Sequence, residues 1–511
     1  FDKLTISGQS ASRVFVLPEQ TSDAAAATID HLTLSAGVVH GVDGFAGSAG
    51  TTPGDAGGDG LAGDNVYGGC IYVGTHTTLH LNFDLVTGCY AIGGVGGAGG
   101  TGAQGAAGEL GSVGNYPNPG GNGTDGGTGG NGGRGGAGGR GYGGAVAAFG
   151  NLVLDSTTIR INHAIAGPGG DAGAGGQGGV GGQGGSGDLS GTCPQCVYTT
   201  AGGNGGNGGK GGSGGLGGAM GNAAGGGIYA PGPGQDTLTN STLVDNEALS
   251  GLFGSTGGDG GEHGVGGAGG GGGDGNTDGN PGDSGSAGLG GVGGYGGSSA
   301  GGAIYNTNAQ TVTLLLHSTI AFNMSIAGHG GQGKNGSGSG ADGWNGGGGI
   351  MNEGSTLTTV QNSIVASNYR VDGGSNRYIA NCHWNATPTL VGNNIADDVP
   401  GTSCYFDTVG DPKFAPAKNG KDAYAWGGNG LPVLMLMPGS PAIGGAHTRG
   451  TALTPIDGCD AVDNDERGLA RAHGAYVHVG NAFVYHAVAC DLGAVEAGND
   501  IIFINGFDTS P

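Results

Sequence analysis

The chain has 511 residues, 135 of them glycine, with only 11% charged and a formal net charge of −24. Its 39 acidic residues against 15 Lys plus Arg leave no basic stripe, which excludes nucleic acid and anionic membranes as partners. Hydrophobic residues still make up 35% and gather between the glycine tracts, so one elongated body with appendages fits better than a disordered or fibrous chain.

In chain order, Phe1-Asp-Lys-Leu-Thr-Ile-Ser7 is strand-like and reads as a processed mature end, with no signal peptide and no apolar run long enough to span a bilayer. Five segments then share one pattern: a Gly-Gly entry, a short apolar strand, a turn, and a second strand ending near Asn and Ala. They begin at Cys70, Ala145, Gly227, Ala303 and Gly349. Asp155-Ser-Thr, Asn240-Ser-Thr, His317-Ser-Thr and Asn362-Ser-Ile align, as do Asn162, Asn246, Asn323 and Asn368. Units this short cannot bury an apolar face alone, but stacked they form a continuous core. Leu152, Leu154, Leu238, Leu243, Leu314, Leu316, Ile320, Leu357 and Ile364 are expected to point inward, with the aligned Asn side chains stacked at one corner.

Between these units lie glycine inserts at 41–69, 93–144, 167–226, 251–302 and 328–349. Glycine recurs at every third residue, as at Gly96, Gly99, Gly102 and Gly105. A three-residue period fits neither α-helix nor β-strand; it fits the extended left-handed helix with three residues per turn. Collagen would need far more than the 18 prolines present. A bundle of polyglycine II helices is therefore expected, attached to one side of the stack because every insert leaves from the same corner. Tyr116, Phe253, Tyr295 and Trp344 are expected to seal its edges.

The eight cysteines fall as neighbouring pairs, Cys70/Cys89, Cys193/Cys196, Cys382/Cys404 and Cys459/Cys490, which favours four local disulfides and an oxidising compartment. The densest acidic run, with Asp457, Asp460, Asp463 and Asp465, offers oxygen ligands at the spacing calcium uses. The plainer reading is a solvated acidic loop with Arg467 pairing inside it. No other cofactor is implied.

The Gly-Gly-Gly-Ile-Tyr entries and Asn-Ser-Thr-Leu strands resemble bacterial parallel β-helix surface proteins. Leu390-Val-Gly-Asn-Asn-Ile395, Gly410-Asp-Pro412, Pro438-Gly-Ser-Pro-Ala-Ile443, Asp465-Glu-Arg-Gly468 and Cys490-Asp-Leu-Gly-Ala-Val-Glu496 follow in order. That series resembles the choice-of-anchor Q domain proteins, which implies a protein secreted by a bacterium and without assigned activity. The inserts resemble the polyglycine II bundles of snow-flea antifreeze protein and some phage tail-tip adhesins. The tail Asp500-Ile-Ile-Phe-Ile-Asn-Gly-Phe-Asp508 resembles an ending found on gammaproteobacterial secreted proteins, implying a Gram-negative source.

The expected fold class is all-β, a right-handed parallel β-helix with a lateral polyglycine II bundle. Residues 1–368 supply the interrupted rungs, 369–497 the end of the β-helix with the anchor-Q-like region, and 498–511 a strand-like tail. The charges within the rungs, Asp84, Asp155, Arg160 and Asp245, form no recurring pair, so no catalytic residue is assigned and an enzyme is not expected. The leading functional expectation is an extracellular structural subunit that polymerises head to tail. Its strands around Leu4 and Ile6 at one end, and Ile501 and Phe503 at the other, would provide the joint. An adhesin whose bundle tips bind a surface glycan or other cell-surface ligand is the alternative, and a carbohydrate-active enzyme the third reading.

Overall fold

The computed structural model describes residues 4–21, 25–188, 200–250, 264, 266–268, 271, 273–274, 277–307, 312–354, 358–372, 376–398, 403–406, 408–414, 424–426, 431–437, 439–443, 464–467, 471, 475–479, 482–486 and 490–494. Among them there is no helix. Thr77–Asn82 alternates buried and half-buried side chains, whereas shorter strands such as Val146–Ala148 and Thr242–Val244 are buried throughout. Most strands pair in parallel with their counterparts one repeat away, building one nine-stranded, three seven-stranded and one four-stranded sheet, so the chain winds as a parallel β-helix. Two antiparallel pairs, Tyr424–Trp426 with Pro432–Leu434 and Ala475–Val479 with Ala482–His486, stand apart from it. The seven-stranded sheet that includes Tyr369–Val371 ends in an antiparallel partner, Arg377–Ile379.

The register places one apolar residue of each coil above the next. Leu34, Val86, Ile159, Leu243, Ile320 and Val365 form one column. Ile29, Leu81, Leu154, Leu238, Leu315 and Val360 form a second. Ile71, Val146, Ile228, Ile304 and Ile350 form a third. All three join one core cluster, and removing them from water is the main drive for stacking.

Three expectations slip here by one residue, among them Ile364, which pairs with Thr319 and packs with Cys490 and Leu492 while Val365 takes the core column. Leu315 is fully buried, whereas Leu314 and Leu316 are half-buried. In a run of three leucines the alternation has no marker, and a one-residue shift exchanges the faces. Thr158 pairs with Thr242, so Ser156 rather than Asp155 matches Asn240. Leu357 lies outside the described residues.

Polar residues turn the corners, and each coil satisfies the next. Asn162, Asn246, Asn323 and Asn368 are completely buried. Each Nδ2 donates to the Oδ1 of the following Asn, at 2.8 Å, 3.0 Å and 2.9 Å, and the series continues to Asn381 at 3.1 Å. A second ladder crosses another corner: the backbone N–H of Thr157, Ser241 and Ser318 donates to the hydroxyl of Ser241, Ser318 and Ser363. Asp84 heads that ladder, accepting from the Leu32 N–H at 2.7 Å; its charge is therefore part of the corner. Ile161, Asp245, Phe322 and Ser367, just before the ladder asparagines, hold φ of 53°, 52°, 58° and 55°. Left-handed backbone is costly for a β-branched or aromatic residue, and the amide ladder beside it holds the corner in place.

The glycine tracts leave after Ile92, Ile165 and Ile326 and return to strands beginning at Val66, Gly141, Ala223 and Ser299. They form a slab of two layers. Outbound tracts bond to outbound tracts, as Gly96 N–H to Pro168 O at 3.0 Å, and return tracts to return tracts, as Gly126 N–H to Asn207 O at 2.8 Å. Further bonds tie the layers together. In the triplet Gly132-Gly133-Arg134 every N–H has its own destination: Ser213 O at 2.8 Å, Gly100 O at 2.8 Å, and the Asp59 side chain at 2.7 Å. This three-way use of the backbone leaves no room for side chains at the glycines. A Cβ on Gly132 would fall on the Gly173 carbonyl, and one on Gly208 on that of Gly267.

The return layer carries amide rows, Asn122–Asn204–Asn280 and Asp125–Asn207–Asp283, in which each side chain accepts from the next tract's N–H at 2.7–3.0 Å. Both layers also present apolar side chains to solvent, Val95, Leu110, Val113 and Val180 on the outbound tracts and Leu216, Leu289 and Val292 on the return tracts. Tyr116, Tyr295 and Trp344 are exposed rather than sealing an edge, because glycine packing leaves no gap for a ring to fill. Phe253 lies outside the described residues.

Candidate functional site

Cys70 and Cys89 form a disulfide with Cα atoms 5.4 Å apart, both completely buried, joining the start of a coil to its last corner. The Cys89 N–H donates to Asn162 Oδ1 at 3.0 Å, so this cysteine stands where the next coil begins its asparagine ladder. Cys382 and Cys404 are also joined, with Cα atoms 4.9 Å apart. Cys490 is disulfide-bonded; Cys193, Cys196 and Cys459 lie outside the described residues.

Of the predicted calcium ligands, Asp457, Asp460 and Asp463 also lie outside them. Asp465 is completely buried, and its carboxylate accepts from Arg467 Nε at 2.8 Å and Nη2 at 2.6 Å. The pairing with Arg467 expected of a solvated loop is present, but in a buried setting. Among the described residues no three His, Cys, Asp or Glu side chains come together as a metal site.

The neighbouring Glu466 was not singled out by sequence reasoning. It is completely buried against the outer face of the nine-stranded sheet. Thr158 and Thr242, on successive coils, direct their hydroxyls at its carboxyl, Thr158 at 2.7 Å. Thr319 on the next coil accepts from the Ala494 N–H at 3.0 Å. Arg471 Nη2 donates to Asn240 Oδ1 and Gly493 O, each at 2.9 Å. The C-terminal motif residues thus dock across a column of threonines. Burial pushes the Glu466 carboxyl up to about 8, with the two threonine hydroxyls pulling the other way. A proton there lets Thr158 donate to Pro432 O, 3.2 Å away, while accepting from the carboxyl. The acidic residue was legible as part of a motif; its threonine partners, more than 200 positions away, carried no local signal.

The predicted assembly strand Leu4–Ser7 is the outer strand of the nine-stranded sheet, paired on one side with Leu32–Ser35. Leu4 is 70% and Ile6 43% exposed. Val16 on the solenoid and Val42, Phe45 and Leu61 on the first glycine hairpin are exposed at the same end of the stack. Ile501 and Phe503 lie outside the described residues. Among these residues no helix is long and apolar enough to cross a membrane.

No protein-family model matches the chain, and no curated protein does. Among solved structures it is similar to the nine-helix polyproline type II bundle antifreeze protein of the springtail Granisotoma rainieri, with 25% identity over 48% of this chain and 94% of that one. The TM-score is 0.10, a superposition too poor to inform the fold.

Proposed function

We propose that the protein is a non-enzymatic extracellular structural subunit: a right-handed β-helix bearing a polyglycine II slab, which joins its own copies end to end. The observation that carries this reading is the gathering of exposed apolar side chains at one end of both bodies, Leu4, Ile6 and Val16 on the solenoid and Val42, Phe45 and Leu61 on the slab. An outer strand whose free edge meets solvent is a template for strand addition, with main-chain bonds for strength and alternating side chains for register. The net charge of −24 opposes indiscriminate association. Donor and acceptor surfaces differ, which makes the contact head to tail. The polyglycine II assignment is supported by the three-residue hydrogen-bond repeat. The disulfides suit an oxidising compartment, and a secreted protein of a Gram-negative bacterium, of the choice-of-anchor Q kind, is the source that fits the C-terminal motifs.

Electron microscopy and sedimentation of the full chain test this. Filaments are expected from the natural protein, and the double variant Leu4→Asp, Ile6→Asp is expected to shorten them at least tenfold with an unchanged circular dichroism spectrum. A wild-type protein that stays monomeric at high concentration, or filaments indifferent to the two aspartates, would sink the proposal.

A further inference from the structure

Where the slab joins the solenoid, a cavity of about 220 Å³ opens on the side of the return layer. Its walls come from both bodies. Tyr142, Asn222 and Ser298 belong to the return tracts and the four-stranded sheet that continues them, Trp344 to the last tract, and Tyr305 and Glu353 to the solenoid. Trp344 is 49% exposed, a large aromatic surface left in water beside a concave site. Tyr305 is the end of a stack in which Tyr142 and Tyr229 lie 4.5 Å apart and Tyr229 and Tyr305 5.8 Å apart.

The polar groups around the cavity are positioned by the backbone. Asn222 Oδ1 accepts from the Ser298 N–H at 2.9 Å, which fixes the amide and leaves its NH₂ as a donor. Ser298 Oγ accepts from the Trp344 N–H at 3.2 Å, so its own hydrogen is available to donate. Glu353 supplies the acceptor, and its carboxylate, second to burial, disfavours ionisation of the nearby Tyr305 hydroxyl. Aromatic surface, two donors and a carboxylate therefore converge on one small concavity, the usual composition of a ligand site.

We propose that this cavity binds a sugar ring of a glycan. The apolar C–H face of a pyranose suits the exposed indole, while its hydroxyls both donate and accept, satisfying Asn222, Ser298 and Glu353 together. A simple anion would meet the Glu353 carboxylate. An organic cation would suit Glu353 and the rings, but its charged head accepts no hydrogen bond and matches the Asn222 and Ser298 donors less well than a ring of hydroxyls. A polar row, Arg140 and Asn65, leads away from the cavity along the stack beside the buried Tyr229 and Tyr142, with Arg140 N–H bonded to Asn65 Oδ1 at 2.8 Å. Its members repeat once per coil, about 4.8 Å apart, so a glycan chain would lie along the stack axis. This site goes beyond end-to-end assembly and does not depend on it.

Isothermal titration of the full chain with neutral hexasaccharides of glucose, mannose, galactose and N-acetylglucosamine, with choline chloride as the cationic probe, tests the assignment. At least one saccharide is expected to bind with a micromolar-to-millimolar Kd. Trp344→Ala and Ser298→Ala are each expected to weaken it roughly tenfold or more. Tyr295→Ala, on an exposed neighbouring row, is the control expected to bind as wild type. The Leu4→Asp, Ile6→Asp protein should bind sugar normally, so failure of assembly and failure of this site are separable. No saturable heat with any of the four sugars, binding of choline in their place, or affinity unaffected by both Trp344→Ala and Ser298→Ala would overturn it.

Discussion

The solenoid and the slab solve the same problem with opposite materials. In the solenoid, backbone bonds run between coils and side chains fill the interior, so Leu81, Leu154 and Leu238 decide the register through burial. In the slab there is no side-chain interior. Successive N–H groups reach neighbours in different directions, and glycine is needed because a Cβ would occupy the space of the next carbonyl. Dispersion and hydrophobic burial stabilise the first; hydrogen bonds and close Cα approach stabilise the second. The slab still relies on the solenoid. Five glycine hairpins free in solution would lose large conformational entropy on ordering, whereas coils stacked in register deliver their ends side by side.

Leu154→Ala is the strongest expected perturbation. It removes a completely buried side chain from the middle of a column and should cost about 2–5 kcal/mol in denaturant unfolding. Amide exchange in the slab should rise with it; a slab still fully protected after the solenoid loosens would show the two to be independent. Asn246→Ala comes next, at about 1–3 kcal/mol, since it leaves the donor of Asn162 and the acceptor of Asn323 without their ladder partner. Thermal unfolding measures it, and a neutral outcome would mean that the corners need no amide.

Gly132→Ala should cost about 1–3 kcal/mol, confined to the slab. Hydrogen exchange should rise at tracts bonded to residues 132–133 while the solenoid's unfolding midpoint stays put. Ala137→Val, at an exposed position of the same tract, should be silent. Equal effects at the two sites would break the argument that glycine is required by backbone proximity.

The smallest effect at neutral pH is expected from Glu466→Gln, which keeps the threonine contacts and removes a titrating proton. Glu466 is raised from an ordinary 4.5 to about 8 when docked, so the docked form holds a proton that the undocked form releases. Docking of the C-terminal motifs is therefore strongest below about pH 4.5, weakens as pH rises through the window to about 8, and levels off above it. Proteolysis of the C-terminal region across that range should show the slope in the natural protein and a flatter profile in the variant. Parallel profiles would remove Glu466 as its cause.

Much of this organisation is visible in the residue order. The three-residue glycine period, the recurrent Asn162, Asn246, Asn323 and Asn368, and the strand pattern around Leu152 and Leu154 each state a local rule that repeats. The rules of periodicity are short-range, so one chain is enough to read them. What failed locally was parity: within Leu314-Leu315-Leu316 all three residues suit either face, and only pairing with Leu238 and Val360 decides that Leu315 goes inward.

The sequence by itself determined that stacked rungs would bury an apolar face and that the glycine tracts would pack without side chains, because both follow from spacing along the chain. Only the tertiary structure decided what meets across distance. It set Glu466 beneath Thr158 and Thr242 and brought Trp344 to a cavity shared with Tyr305 and Glu353. These neighbours are separated by whole coils or hairpins, and the strand register that joins them is fixed by burial summed over the entire stack rather than by any residue near the site.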